Sequence, residues 1–116
     1  MDISKVKTEH DVTEYLRDWS EFERSVYLAT FKIPRGKVST YGRIAKMIGR
    51  PKASRAVANT LHNNPLWPVV PCQRVVCSDG RFGGPKDAAA GRRKQVEDEG
   101  VPIEKGRVVI TKDILF

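Results

Sequence analysis

The alternation of apolar and polar positions divides the chain into a run of short helices followed by extended segments. Phe22, Val26, Tyr27, Ala29, Thr30 and Phe31 recur at helical spacing. Ser20 stands three residues ahead of Glu23, the pattern of a capping box, so a helix is expected from there to just before Ile33-Pro34. Tyr41, Ile44, Ala45 and Ile48 form a second stripe, with Ser39 or Thr40 as cap and Gly49 as stop. After the link Arg50-Pro51-Lys52, Val57, Ala58 and Leu61 set the inward face of a third helix, about 53–63. Residues 8–19 carry a weaker pattern, compatible with a short helix behind Thr8 or with a frayed arm.

Downstream the period changes. Asn63-Asn64-Pro65-Leu66-Trp67-Pro68 is a proline-rich loop. Val75-Val76-Cys77 reads as a strand turning at Ser78-Asp79-Gly80 and returning through Arg81-Phe82. Gly83-Gly84-Pro85-Lys86 is a loop, and a charged helix, about 88–98, ends at Gly100. Residues 101–103 and 107–111 are extended and close over the core. The expected fold is mostly α with small β elements, a helical domain holding a winged-helix-like helix-turn-helix, with 1–19 as an N-terminal arm or short helix and 20–116 as the functional domain.

Charge sharpens this outline. No Asp or Glu occurs between Glu23 and Asp79, and that stretch carries ten of the 21 Lys and Arg residues. The other 11 face all 14 acidic residues, so the stretch holds more than the whole net charge of +7. A one-sign segment of this size is a polyanion footprint, and it coincides with the paired helices. Arg55, Asn59 and Thr60 then fall on or beside the face toward DNA, and Ala56 lets the helix backbone approach closely. No apolar run is long enough to span a membrane, and no signal-peptide pattern opens the chain. The expected setting is cytoplasmic and nucleoid-associated, or nuclear in a eukaryote, with no membrane partner.

Pro71-Cys72-Gln73-Arg74-Val75-Val76 is the chemical candidate. Pro71 fixes its own φ and lacks a donor, which places Cys72 on a rigid turn. A structural buried thiol and a reactive one both fit the hexapeptide; Arg74 next door and the basic surroundings favour the thiolate, and Arg74 is also expected among the DNA-binding residues. Two histidines and a Cys-x4-Cys pair do not supply a metal site, so no metal is expected, and no glycine-rich phosphate loop is present.

The ordered set Gly36-Lys37-Val38-Ser39-Thr40-Tyr41-Gly42-Arg43-Ile44-Ala45, Ala53-Ser54-Arg55-Ala56-Val57-Ala58, Asn63-Asn64-Pro65, Pro71-Cys72-Gln73-Arg74-Val75-Val76 and Asp98-Glu99-Gly100 resembles the C-terminal domain of O6-alkylguanine-DNA alkyltransferases and their alkyltransferase-like relatives. The similarity covers roughly 20–103, without the family's separate N-terminal domain. The resemblance implies a monomer whose helix-turn-helix enters the minor groove of double-stranded DNA and flips O6-alkylguanine into a pocket. It implies that Arg55 fills the vacated space, Tyr41 crowds the phosphate of the flipped nucleotide, and Asn64 ties the helix pair to the active-site loop. Cys72 matches the irreversible alkyl acceptor of a cofactor-free, single-turnover methylated-DNA–protein-cysteine methyltransferase. Glu99 matches the carboxylate that orients a histidine after the cysteine.

Two departures stand out. Gln73 occupies the histidine position, and an amide cannot relay the thiol proton. Gly83, Gly84, Pro85 and Lys86 replace the Gly-Tyr-containing loop that packs on the flipped base. The alternative implied is a non-enzymatic lesion sensor that passes O6-alkylguanine to another pathway, with a nucleotide-excision repair partner.

Overall fold

A computed structural model describes residues 3–116; the first two positions of the expected N-terminal segment lie outside the described residues. Among the described residues there are five α-helices: α1 Glu9–Tyr15, α2 Glu21–Phe31, α3 Tyr41–Met47, α4 Ser54–His62 and α5 Lys86–Asp98. Four two-residue strands accompany them: β1 Ser39–Thr40, β2 Val75–Val76, β3 Ile103–Glu104 and β4 Arg107–Val108. The fold is mostly helical with small β elements, as the pattern predicts.

Local chemistry sets the helix starts. Ser20 Oγ accepts from the Glu23 amide while the Glu23 carboxylate accepts from the Ser20 amide, the predicted box in full. Thr8 and Asp11 make a second such box ahead of α1. α1 lies on α2, and Val6, Val12 and Leu16 are buried with Val26, Tyr27 and Ile33. The same cluster takes Ile44 and Ala45 from α3, Val57 and Leu61 from α4, and Leu66, Val70 and Val75 from the loop and strand beyond. The inward stripes thus meet in one core.

α3 and α4 are the helix-turn-helix. Thr40, of the two caps the sequence left open, accepts from the Arg43 amide through Oγ1. Gly49, at φ 77, turns the chain between the helices in a conformation costly for other residues. The Tyr27 hydroxyl donates to the Thr60 carbonyl at 2.7 Å and docks α2 on α4.

A smaller cluster joins Val38, Val76, Val96, Val101 and Val108, which packs α5 and the C-terminal segment against the β1–β2 pair. The expected partner of the Val75–Val76 strand was the return at Arg81-Phe82. Only the Cys77 amide bonds back there, to the Arg81 carbonyl at 2.8 Å. The strand instead pairs in parallel with β1, Ser39 beside Val75 and Thr40 beside Val76. The core-facing valines of this strand need a buried neighbour, and the segment leading into α3 supplies it. α5 starts two residues earlier than expected because Pro85 sits at its N-cap, extended at φ −58 and ψ 155. β3 and β4 form an antiparallel hairpin with Lys105 and Gly106 at its tip. No helix among the described residues is long and apolar enough to cross a membrane.

Candidate active site and nucleic-acid interface

Cys72 is held by the backbone on either side. Pro71 lies at φ −83 and ψ 73, and the Cys72 amide donates to the Val70 carbonyl at 2.9 Å, an inverse γ-turn. Cys72–Arg74 then form one 3-10 turn that feeds β2. Val75, at 0% exposure, anchors the turn in the core. Asn64, two residues past the end of α4, braces it: its side-chain amide donates to the Val70 carbonyl at 2.7 Å and its side-chain oxygen accepts from the Leu66 amide at 2.9 Å. The helix-turn-helix and the cysteine turn are therefore one mechanical unit.

A cavity of about 250 Å³ opens at Cys72, lined also by Trp67, Ala88, Gly91, Arg92 and Gln95. Small residues on this face of α5 make the space; a Cβ added at Gly91 would meet nothing. The wall opposite is Trp67, whose indole N–H donates to the Gln73 side-chain oxygen at 3.1 Å. Trp67 was not singled out by the sequence, where no spacing links it to Cys72; Arg92 lies in the run 90–95, which resembles the non-repairing relatives.

Behind the cysteine runs a chain of side-chain contacts. Gln73 is 5% exposed and its amide reaches Glu99 Oε2 at 3.4 Å. Arg74 grips the same carboxylate with Nε and Nη2, both at 2.9 Å, and donates through Nη1 to the Ile33 carbonyl at 2.7 Å. These bonds to Arg74 hold the Glu99 carboxyl below its ordinary value, against burial, with Gln73 and the charge of Arg35 adding to the effect. Arg74 was expected on the DNA face and as a local aid to the thiolate. Its guanidinium instead points inward, 16% exposed, and its charge is spent on Glu99. Glu99, expected beside a catalytic proton path, accepts from Arg74 twice and from Gln73 once.

The helix-turn-helix side of the site is a second cavity, about 380 Å³, lined by Tyr41, Ser54, Arg55, Ala58, His62 and Cys77 among others. Arg55 is exposed in the first turn of α4, and Ala56 and Asn59 are exposed along the same helix. Thr60 is partly buried, with its carbonyl occupied by Tyr27. Tyr41 is 7% exposed, and its hydroxyl meets His62 Nε2 at 3.3 Å. Burial pushes this phenol up to about 12, opposed by Arg92 and reinforced by Cys77 and then Cys72. Burial and the Arg92 charge lower His62, which favours the neutral imidazole. Burial and then Asp79 push the Cys77 thiol up, against Arg81, which disfavours its thiolate.

Gly83 packs against the Tyr41–His62 pair: a Cβ there would lie 2.6 Å from the Tyr41 hydroxyl and 3.1 Å from His62 Nε2. Arg92 fixes this loop by donating to the Gly83 carbonyl at 2.6 Å. Gly84 follows at φ 90, then Pro85 caps α5. Lys86, expected with the loop at the cysteine, lines a different cleft on the far side of α5, because one helical residue pair separates it from Ala88.

Comparison with known proteins places this geometry. The family model described as 6-O-methylguanine DNA methyltransferase, DNA binding domain, matches residues 21–101. The methylated-DNA–protein-cysteine methyltransferase of Methanosarcina acetivorans is 49% identical over 65 residues, which is 56% of this chain and 42% of that protein. The protein of the same name from Mycolicibacterium paratuberculosis is 46% identical over 77 residues, 66% of this chain and 46% of that one. The chain therefore spans less than half the length of either relative. Among solved structures, S. pombe ATL in complex with DNA superposes with a TM-score of 0.71 at 30% identity, covering 83% of this chain and 94% of that one. The O6-methylguanine methyltransferase of Mycobacterium tuberculosis gives 0.66 at 34% identity, covering 73% and 53%. With 81 consecutive positions matched, helix-turn-helix and cysteine turn included, the chain belongs to the 6-O-methylguanine DNA methyltransferase DNA-binding-domain family.

Proposed function

We propose that this chain binds duplex DNA through α4, flips O6-alkylguanine toward α5, and transfers the alkyl group irreversibly to Cys72. The observation that carries this reading is the placement of Cys72: a rigidly presented thiol at a cavity walled by small residues, braced by Asn64 to an exposed basic helix. Ala56 and Asn59 lie along the approach face of α4, and Arg55, beside the Tyr41 cavity, takes the space the flipped base leaves. In the transfer, the Cys72 sulfur attacks the alkyl carbon, the carbon–O6 bond breaks, and its electron pair stays on guanine. The thiol proton leaves through water and a proton returns to guanine. Gln73 cannot carry it, and Glu99 is held by Arg74. Arg92 supplies the positive charge at the cavity that Arg74 does not.

A second reading, lesion recognition without transfer, is favoured by Gln73. Its amide is wedged between Trp67 and Glu99 where a proton relay would have to run. The match to S. pombe ATL over 94% of that chain is in keeping with it. The test is incubation with duplex containing O6-methylguanine followed by intact-protein mass spectrometry. A gain of one methyl that disappears in Cys72→Ala supports transfer. Lesion-selective binding with no mass change supports the sensor, and absence of both refutes the two readings together.

A further inference from the structure

Outside the acid-free stretch the chain is acidic on balance, with 11 basic and 14 acidic residues, yet the fold gathers five of those bases in one place. Arg81 from the loop after β2, Lys86 and Arg93 from α5, and Lys105 and Arg107 from the β3–β4 hairpin line a cleft of about 410 Å³ with Phe82 among its walls. α5 divides this cleft from the cysteine: Lys86, Ala89, Ala90 and Arg93 face one side, Ala88, Gly91, Arg92 and Gln95 the other. Among the described residues the cleft cations meet a single carboxylate, Asp79, at 3.3 Å from Arg81 and 4.0 Å from Arg107. Lys86, Arg93 and Lys105 have no carboxylate partner there, and no acidic residue lines the cleft.

Five like charges gathered against one carboxylate leave a positive surplus that favours an anion from outside. The cleft also shares a loop with the helix-turn-helix cavity. Cys77, Ser78 and Gly83 line that cavity while Arg81 and Phe82, on the same loop, line the cleft.

We infer that the cleft between α5 and the β3–β4 hairpin is a second phosphate-backbone site, engaging the DNA that flanks the helix-turn-helix contact. This rests on the duplex-binding reading above. It differs in location and in role: the cleft adds affinity and footprint, with no part in choosing the lesion. Phosphate contacts of this kind are read in the salt dependence of binding, about 0.9 in the slope of log K against log salt for each phosphate neutralised.

The experiment compares the whole protein with an Arg93→Gln/Lys105→Gln variant and, independently, with Lys86→Gln, on a long duplex with and without O6-methylguanine. All three positions are exposed, so the fold should be retained, which a thermal melt checks. The expected result is a salt slope lower by about 2 for the double variant and about 1 for Lys86→Gln. The preference for lesion over undamaged duplex stays unchanged. Unaltered slopes would overturn the inference, as would binding of polyglutamate to the parent that both variants lose while duplex binding persists, since that assigns the cleft to an acidic protein. A parent that binds no duplex at all would instead sink the duplex-binding reading itself.

Discussion

Glu99→Gln removes the charge from the clamp behind the cysteine while keeping its shape. The side chains involved are 8% exposed for Glu99 and 16% for Arg74, so this is a largely buried pair. Deleting one partner of such a pair leaves the other charge uncompensated, at a cost of about 3–5 kcal/mol. The substituted amide keeps one acceptor oxygen, so one of the two 2.9 Å guanidinium bonds survives, and the expected loss is at the low end, about 3 kcal/mol. That is a large part of the roughly 5–15 kcal/mol of a typical domain. Urea titration should show it as a midpoint lower by roughly 2 M with an unchanged slope. The pH dependence carries the sign. Glu99 titrates below its ordinary 4.5 when folded, so its contribution is fully present above the unfolded value and is lost as pH falls through the folded one. The gap between parent and variant should therefore be widest near neutrality and shrink in acid. Equal midpoints at pH 7, or a gap that grows below pH 4.5, would refute the clamp.

Three further substitutions probe the site. Gln73→His should raise the alkyl-transfer rate on the order of 10-fold or more and introduce an inflection near pH 6.5 if proton removal limits it; an unchanged single-turnover rate moves the limit to base flipping. Arg55→Ala should abolish the fluorescence change of a reporter base beside the lesion, with the salt slope for undamaged duplex lowered by no more than about 1; parallel loss of both would end its assignment to the vacated space. Gly83→Ala forces a Cβ against the Tyr41 hydroxyl and should cost about 1–3 kcal/mol by overpacking, read in thermal melts together with weaker lesion binding. A variant as stable as the parent would mean that Tyr41 and His62 yield without cost.

Much of this was legible because it is local. Ser20 with Glu23, Thr40 ahead of Tyr41, and the stripes through Val26, Ile44 and Val57 are set within one or two helical turns, where spacing maps directly to a face. Pro71 likewise made a rigid turn at Cys72 readable from one residue's fixed φ. What escaped is long-range. β1 and β2 hold two residues each, too few for a period of two to register, so their parallel pairing has no trace in the pattern. Arg74 reads in sequence as the neighbour of Cys72; only folding brings it to Glu99 and turns an apparent activator into a structural cation. The basic cleft escaped for the same reason: its members are scattered among acidic residues and converge only when α5 packs beside the hairpin. Trp67, an exposed aromatic in a proline-rich loop, gains meaning solely from its bond to Gln73.

The central claim concerns one sulfur atom, and the sequence offers a clean way to read it. Trypsin cuts after Arg55, Arg74 and Arg81, so Cys72 falls in the peptide 56–74 and Cys77 in the peptide 75–81. After incubation with duplex carrying O6-methylguanine, peptide mass spectrometry should find one methyl on Cys72, stoichiometric with lesion lost from the DNA, and none on Cys77. A methyl on Cys77, or lesion bound with both peptides unmodified, would contradict the account.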